Sequence, residues 1–215
     1  MGLSGLSLVI FAVMHLIGNL LLLNSDPLPF NTYAFKLEQL GDLLKVLELG
    51  LLVFFVMHVV TAISVSRANR RARSVSYTKV GNAGGSSRKT LAALNMYGTG
   101  LLLLAFIIWH LLTFKWGPGA AQGYITSVQG QPARDLYRLV SEIFAQPAYM
   151  LTYVAIMGFF GLHLRHGFWS AFQSLGVNHP RFSPIIYTAA LGIAALLGIG
   201  FMLIPIWVYF RMHGL

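Results

Sequence analysis

The sequence contains no cysteine among its 215 residues. Disulfides, thiolate-bound zinc, iron–sulfur clusters, a cysteine nucleophile and a covalently attached c-type haem all require that side chain. The chain itself can therefore hold none of these groups, and its chemistry has to come from other residues.

Charged residues are also scarce, at 10% of the chain, whereas hydrophobic residues make up 56%. Soluble domains carry about 25% charged residues, so the composition argues against a soluble globule and a disordered chain. Five stretches lack Asp, Glu, Lys and Arg, and each is close to or above the ~20 residues that cross a bilayer as a helix. We predict an all-α membrane protein, a single transmembrane domain of residues 1–215 in which five helices form a bundle. The predicted spans are about 3–23, 46–66, 91–114, 143–168 and 182–210.

The loops differ in charge on the two sides of the membrane. One side carries nine basic residues and no acidic one: Arg67, Arg70, Arg71, Arg73, Lys79, Arg88, Lys89, Arg165 and Arg181. The other side carries six basic residues and all six acidic ones. Positive loops stay in the cytoplasm, so we predict a cytoplasmic N-terminus and an external C-terminus. Two interpretations of the arginines at 67–73 stay open. They act as a topology signal alone, or they also dock a soluble partner or pair with anionic cofactor groups.

Two segments between the spans have a composition of their own. Residues 74–90 are polar and rich in Ser and Gly, which predicts a loop. The glycines of this segment follow no strand, so we expect no nucleotide-binding site. We also expect no nucleic-acid partner. Residues 33–48 repeat Leu at helical intervals, which predicts a helix along the membrane interface before the second span.

Four of the seven histidines fall one per span in the first four spans: His15, His58, His110 and His163. Ionisable residues inside a bilayer are rare and usually functional, although a single such histidine can simply join two helices by a hydrogen bond. One histidine in each of four consecutive spans favours a ligand role.

The direction of the spans sorts these histidines into two pairs. His15 and His110 lie in the later half of outward-running spans, whereas His58 and His163 lie toward the cytoplasmic end of inward-running spans. His58 precedes Arg67 by nine residues and His163 precedes Arg165 by two, which at about 1.5 Å per residue leaves a depth mismatch of about 10 Å. Helix tilt, or a longer fourth helix, would absorb this mismatch.

Two facing imidazoles at one depth match the two axial positions of a haem iron. Zinc usually takes four protein donors, and proton relays use Asp or Glu beside His. The uncharged stretches contain no carboxylate. The pattern therefore favours two haems at two depths, which make an electron path across the membrane.

The strings around the histidines resemble those of a known family. They are MHLIGNLLLL (14–23), MHVVTAISVSRANRRAR (57–73), IIWHLLTF (107–114) and LHLRHGFWSAFQSLG (162–176). With five spans, the chain resembles the dihaem cytochrome b anchor subunit of succinate dehydrogenase and fumarate reductase, in the type where one polypeptide forms the anchor. The resemblance covers most of residues 1–176. It implies that His15 and His110 bind the distal haem b, and His58 and His163 the proximal haem b.

The same resemblance implies partners and further site residues. A cytoplasmic flavoprotein and an iron–sulfur subunit would deliver electrons from succinate, and a quinone, usually menaquinone, would react in the bacterial cytoplasmic membrane. Arg67, with the arginines after it, Arg165 and His166 become candidates for the haem propionates or the iron–sulfur subunit. Glu38 and Glu48 become candidates for a quinone pocket, although both also suit solvated interfacial charges. We expect no catalytic residue within this chain.

One position departs from the family pattern. Some members place a glutamate two residues before the fourth-span histidine to carry protons, and here that position is Gly161. Other interpretations stay open: a dihaem anchor of a hydrogenase or formate dehydrogenase, a haem-free transporter or proton channel, or a structural anchor. The complex as a whole can also assemble into a higher oligomer.

Overall fold

The computed structural model describes residues 1–72, 95–177 and 179–214. Nearly all regular structure in these ranges is helical, which confirms the predicted all-α class. The α-helices are α1 Gly2–Asn19, α2 Leu28–Glu38, α3 Asp42–Arg71, α4 Met96–His110, α5 Leu136–Phe144, α6 Pro147–Ser174 and α7 Ser183–Met212. A 3-10 turn, Leu20–Leu23, extends α1, a π-helical segment, Leu111–Lys115, extends α4, and a further 3-10 turn covers Ala120–Gln122.

Five helices within these ranges are long and apolar enough to cross a membrane. They are Gly2–Leu23, Asp42–Arg71, Met96–Lys115, Pro147–Ser174 and Ser183–Met212. Many large apolar side chains along them remain exposed on the protein surface, and α3 buries none of its residues. An apolar exterior of this kind requires a lipid bilayer around the bundle.

The helices begin and end at different residues from the predicted spans. The second runs from Asp42 to Arg71, beyond 46–66 at both ends, because the charged residues at its termini continue the helix. The fourth begins at Pro147 and not at 143, because Gln146 is extended and Pro147 opens a new helix. That helix also continues beyond 168 to Ser174. The loop predicted at 74–90, the basic residues from Arg73 to Lys89, and the predicted start of the third span at 91–94 lie outside the described residues.

Helix α6 occupies the centre of the bundle and packs against α1, α4, α5 and α7. It approaches α7 closely at Gly161, where a side-chain carbon built on Gly198 of α7 would come within 3.4 Å of the Gly161 Cα. Small residues allow membrane helices to approach this closely. Helix α3 lies at the edge of the bundle, where its main packing partner is α1.

One end of the bundle is covered by a small layer of short elements, which we call the cap. It consists of α2, α5 and a hairpin of β1 Ile125–Val128 and β2 Gln131–Arg134, which the sequence reasoning did not predict. Both residues of the hairpin turn, Gln129 and Gly130, have positive φ, as a tight two-residue turn requires. The buried Asn31 amide joins the layer by donating to Asp135 and accepting the Tyr137 N–H.

The opposite end of the bundle, the arginine end, carries the start of α1 and the last turns of α3 and α6. Gly2 lies against Ala171 and Ser174 near the end of α6. At the cap end, Arg211 at the end of α7 donates to the Leu22 and Asn24 carbonyls and to the Ser141 hydroxyl. The first and last described helices therefore place residue 2 and residue 211 at opposite ends of the bundle.

Candidate functional site

The first histidine pair lies toward the cap, where α1 and α4 each contribute one ring. The ring centres of His15 and His110 are 5.9 Å apart, and the ring planes are nearly perpendicular, at 86°. The backbones of α1 and α4 are not among the closely packed helix pairs of the bundle. The imidazoles therefore reach toward one another across a gap between the two helices.

The second histidine pair lies toward the arginine end and joins α3 to α6. The ring centres of His58 and His163 are 6.4 Å apart, with an angle of 69° between the planes. Here too the two helices are not closely packed on one another. The structure thus brings together the same two pairs that span direction predicts.

Glycines on α1 and α4 give the separation of the two pairs along the bundle. A side-chain carbon built on Gly5 would lie 3.5 Å from the His58 ring, and one built on Gly100 would lie 3.4 Å from the His163 ring. Gly5 and Gly100 each precede a histidine of the cap-end pair by ten residues, which at 1.5 Å per residue is about 15 Å along the helix axis. Both α1 and α4 therefore place the two histidine pairs at the same distance from each other along the bundle, about half the ~30 Å hydrocarbon thickness.

The depth mismatch expected between His58 and His163 is absent. The expected depth of His163 was counted back from Arg165, as if this arginine marked the end of its helix. In the structure α6 continues for nine further residues to Ser174. Arg165 instead donates to the Tyr187 hydroxyl inside the bundle. The longer helix places His163 level with His58, so no tilt is needed to pair them.

Aromatic rings surround the cap-end pair. Phe11 stacks on His15 at 5.3 Å, and Phe201 of α7 lies 5.9 Å from the same ring. Phe106 and Phe114 flank His110 at 5.7 Å and 5.3 Å. These rings form an apolar surrounding that keeps water away from the imidazoles.

One histidine of each pair has a hydroxyl partner at Nδ1. His110 Nδ1 lies 3.2 Å from the Tyr153 hydroxyl, and His163 Nδ1 lies 3.1 Å from the Thr99 hydroxyl. Within the described residues, His58 Nδ1 is buried without a hydrogen-bond partner. Metal-bound histidines commonly use one ring nitrogen for the metal and the other for a hydrogen bond, and His110 and His163 fit that arrangement.

The spacing of the rings fits a metal ion bound between two imidazoles. Two metal–nitrogen bonds of about 2.0 to 2.1 Å place the ring centres about 6 Å apart, close to both observed separations. In the part of the chain that the structure describes, no group of three or more His, Cys, Asp or Glu side chains could hold a metal ion. Each pair would thus offer two imidazole donors to a bound group such as a haem.

The helix that carries His110 changes its geometry directly after that residue. Leu111–Lys115 form a π-helical segment, a form that is rare and frequent at functional sites. Arg134 of the hairpin fixes the end of this segment by donating to the carbonyls of Phe114, Lys115, Gly117 and Pro118. Desolvation lowers the pKa of Arg134, and Glu38 opposes that shift.

The three candidates for the haem propionates or the iron–sulfur subunit lie at the arginine end but in different surroundings. Arg165 stacks its guanidinium 5.3 Å from the Tyr187 ring, and its Nε is buried without a hydrogen-bond partner among the described residues. His166 is half-buried one turn after His163. Arg67 is exposed in the penultimate turn of α3. Of the three, Arg165 alone presents a buried donor that needs an acceptor.

The two glutamate candidates lie at the cap end. Glu48 lies in α3 and forms an ion pair with Lys115, which is the last residue of the π-helical segment that follows His110. Glu38 is exposed at the end of α2. Glu48 therefore connects α3 to the helix of the cap-end pair, whereas Glu38 faces solvent.

Sequence reasoning missed Thr99, Tyr153 and Phe201. Each of these residues contacts one of the paired histidine rings from a different helix than the one that carries that histidine. Spacing along one helix cannot find such residues. The weak signal for Thr99 and Tyr153 is their polarity within otherwise apolar spans. Comparisons with family models, with curated proteins and with solved structures found no match to this chain.

Proposed function

We propose that the chain is the membrane-anchor cytochrome b subunit of a succinate:quinone oxidoreductase. The observation that carries the proposal is the pair of facing imidazoles at each of two levels, about 15 Å apart along the bundle. The resemblance of the strings at 14–23, 57–73, 107–114 and 162–176 to the five-span dihaem anchor supports the choice among respiratory enzymes. Each haem b, when bound, supplies a site for one-electron transfer.

The four paired histidines would hold the two haems by their ring nitrogens. His15 and His110 would ligate the haem near the cap, and His58 and His163 the haem near the arginine end. The buried Nε of Arg165 suits a propionate oxygen, with His166 one turn after His163 as a second contact. Gly5 and Gly100 leave space beside the rings of the second pair.

The charge of the arginine end supports an orientation with that end in the cytoplasm. Among the described residues this end carries Arg67, Arg70, Arg71, Arg165 and Arg181, and all six acidic residues of the chain lie toward the cap. Positive-inside topology would place the chain in the bacterial cytoplasmic membrane with its N-terminus inside. An iron–sulfur subunit, with its flavoprotein, would then dock on the arginine end and deliver electrons to the nearer haem.

Quinone, with menaquinone as the expected type, would react near the cap-end pair. Glu48 is the stronger candidate for this site, because its ion pair with Lys115 lies at the end of the segment that follows His110. A carboxylate and an ammonium at this level can exchange the protons that quinone chemistry consumes or releases. Glu38 makes no ion pair among the described residues, so Glu38→Gln is a suitable comparison for Glu48→Gln in quinone reduction assays.

The test is purification of the tagged chain from its native membranes, followed by identification of the co-purifying subunits. We expect a flavoprotein and an iron–sulfur subunit, and we expect succinate to reduce b-type haem in the complex. Co-purification of a hydrogenase or formate dehydrogenase subunit would replace this assignment with another dihaem anchor. A colourless protein without partners would support a transporter or a structural anchor instead. The mass of the purified complex would also show whether it forms a higher oligomer.

A further inference from the structure

Thr99 of α4 makes three polar contacts through a single hydroxyl. Its Oγ1 lies 3.0 Å from the Asn95 carbonyl oxygen, 3.2 Å from the Met96 carbonyl oxygen and 3.1 Å from His163 Nδ1. Thr99 is buried, with 7% of its surface exposed. No other described side chain bonds to a ring nitrogen of His163.

The contacts within α4 favour one direction for these hydrogen bonds. Both backbone carbonyls accept only, and a threonine inside a helix commonly donates its hydroxyl proton to the carbonyl four residues earlier, here that of Asn95. The hydroxyl oxygen still has a free lone pair, which accepts from His163 only if the proton of the neutral ring is on Nδ1. The lone pair of His163 then resides on Nε2.

We propose that Thr99 is a positioning residue that holds His163 as the Nδ1–H tautomer, with Nε2 free to bind iron. The inference rests on the proposed function for the ligand, but the tautomer itself is a property of this chain alone. Hydrogen bonds of this kind fix the ring orientation of a metal-bound histidine and raise its basicity.

The cap-end pair lacks the same constraint. The Tyr153 hydroxyl has His110 Nδ1 as its single hydrogen-bond partner among the described residues, so its proton is not committed to a carbonyl. Tyr153 can therefore donate to His110 or accept from it. The arginine-end pair is thus the one whose tautomer is fixed before any ligand binds.

The test is ¹⁵N NMR of haem-free protein with labelled histidines, in which the two neutral tautomers give different nitrogen shifts. The His163 signal is assigned by its disappearance in His163→Gln. We expect the Nδ1–H tautomer in the wild type and in Thr99→Ser, and a mixture in Thr99→Val. The matched control is Thr61→Val. Among the described residues Thr61 bonds only to the Met57 and His58 carbonyls, so the loss of its hydroxyl should leave His163 unchanged.

A second measurement is haem binding to the arginine-end site. We expect Thr99→Val to weaken it by about 10- to 100-fold and to raise the midpoint potential of that haem, while Thr99→Ser retains both. An Nε2–H tautomer in the wild type would overturn the inference, as would unchanged tautomer, affinity and potential in Thr99→Val. Haem-free protein that has the Nδ1–H tautomer but binds no haem would overturn the proposed function and leave the role of Thr99 standing. If Thr99→Val does not fold, the wild-type tautomer alone decides.

Discussion

The rings of His58 and His163 lie 6.4 Å apart, although the main packing partner of α3 is α1 and not the helix of His163. The two side chains thus meet across a space that the helix backbones leave open. A direct hydrogen bond between the rings would need a nitrogen–nitrogen distance near 3 Å, and the structure contains no such bond between these described residues. The spacing is compatible with two ligands of one metal ion, as the proposed function needs.

On the proposed function, replacing His163 by alanine should remove one of the two expected haems. The variant loses the ligand opposite His58 and leaves the cap-end pair untouched, about 15 Å away along the bundle. A pyridine haemochrome assay should give one haem b per chain. His213→Ala is the control, because His213 is exposed after the last helix and stacks on Tyr209. Two haems in His163→Ala would show that the pairing is wrong.

Replacing Tyr153 by phenylalanine should affect the other pair. The change keeps the ring among Phe106, Trp109 and Phe144 and removes the hydroxyl at His110 Nδ1. We expect a changed midpoint potential for the cap-end haem alone, and a loss of stability of about 0.5 to 1.5 kcal/mol for one hydrogen bond.

The control for this change is Tyr149→Phe. Tyr149 stacks on Trp109 at 5.0 Å and makes no hydrogen bond within the described residues. If the two tyrosine variants shift the potentials equally, the hydroxyl of Tyr153 has no special role at His110.

Sequence alone was sufficient for the five long helices and for the pairing of the histidines. The interface helix predicted over 33–48 was wrong in its bounds, because α2 ends at Glu38 and the positive φ of Gly41 breaks the chain before α3 begins at Asp42. Long uncharged runs determine membrane helices, and alternating span direction determines which histidines share a level, as at His15 and His110. The hairpin at 125–134 was missed because its apolar residues are few and its Gln129–Gly130 turn is an uncommon signal. The contacts of Thr99 and Phe201 depend on how whole helices pack, which no local pattern encodes.

Replacing Gly198 by leucine should separate α6 from α7. A side-chain carbon at Gly198 would lie 3.4 Å from the Gly161 Cα, so a longer side chain forces α6 and α7 apart. We expect a loss of about 1 to 3 kcal/mol, measured as a lower melting temperature in detergent. Gly192→Leu in the same helix meets nothing within 4 Å and should melt as the wild type does. Equal melting of the two variants would contradict this packing.

Acid should weaken the cap through Glu142. Hydrogen bonds from the Tyr124 hydroxyl and then the Arg138 guanidinium lower the pKa of this carboxyl below its usual range. A lowered pKa in the folded state stabilises the fold above the unfolded pKa of about 4.3, and the stabilisation is lost as the pH falls through the folded value. Glu142→Gln should therefore reduce the acid dependence of the melting temperature between about pH 6 and about pH 3.

The control for the pH dependence is Asp42→Asn. Asp42 pairs with Lys45 at the start of α3 and is 94% exposed, so its ion pair contributes little to stability. If the melting temperature of Glu142→Gln falls with acid as steeply as that of the wild type and of Asp42→Asn, the cap carboxylate has no stabilising role.

The most direct measurement is a reduced-minus-oxidised absorption spectrum of the purified protein, with haem counted as the pyridine haemochrome. Bis-histidine ligation by His15 with His110 and by His58 with His163 predicts a b-type spectrum and two haems per chain. A colourless protein, or one haem shared among the four histidines, would contradict it.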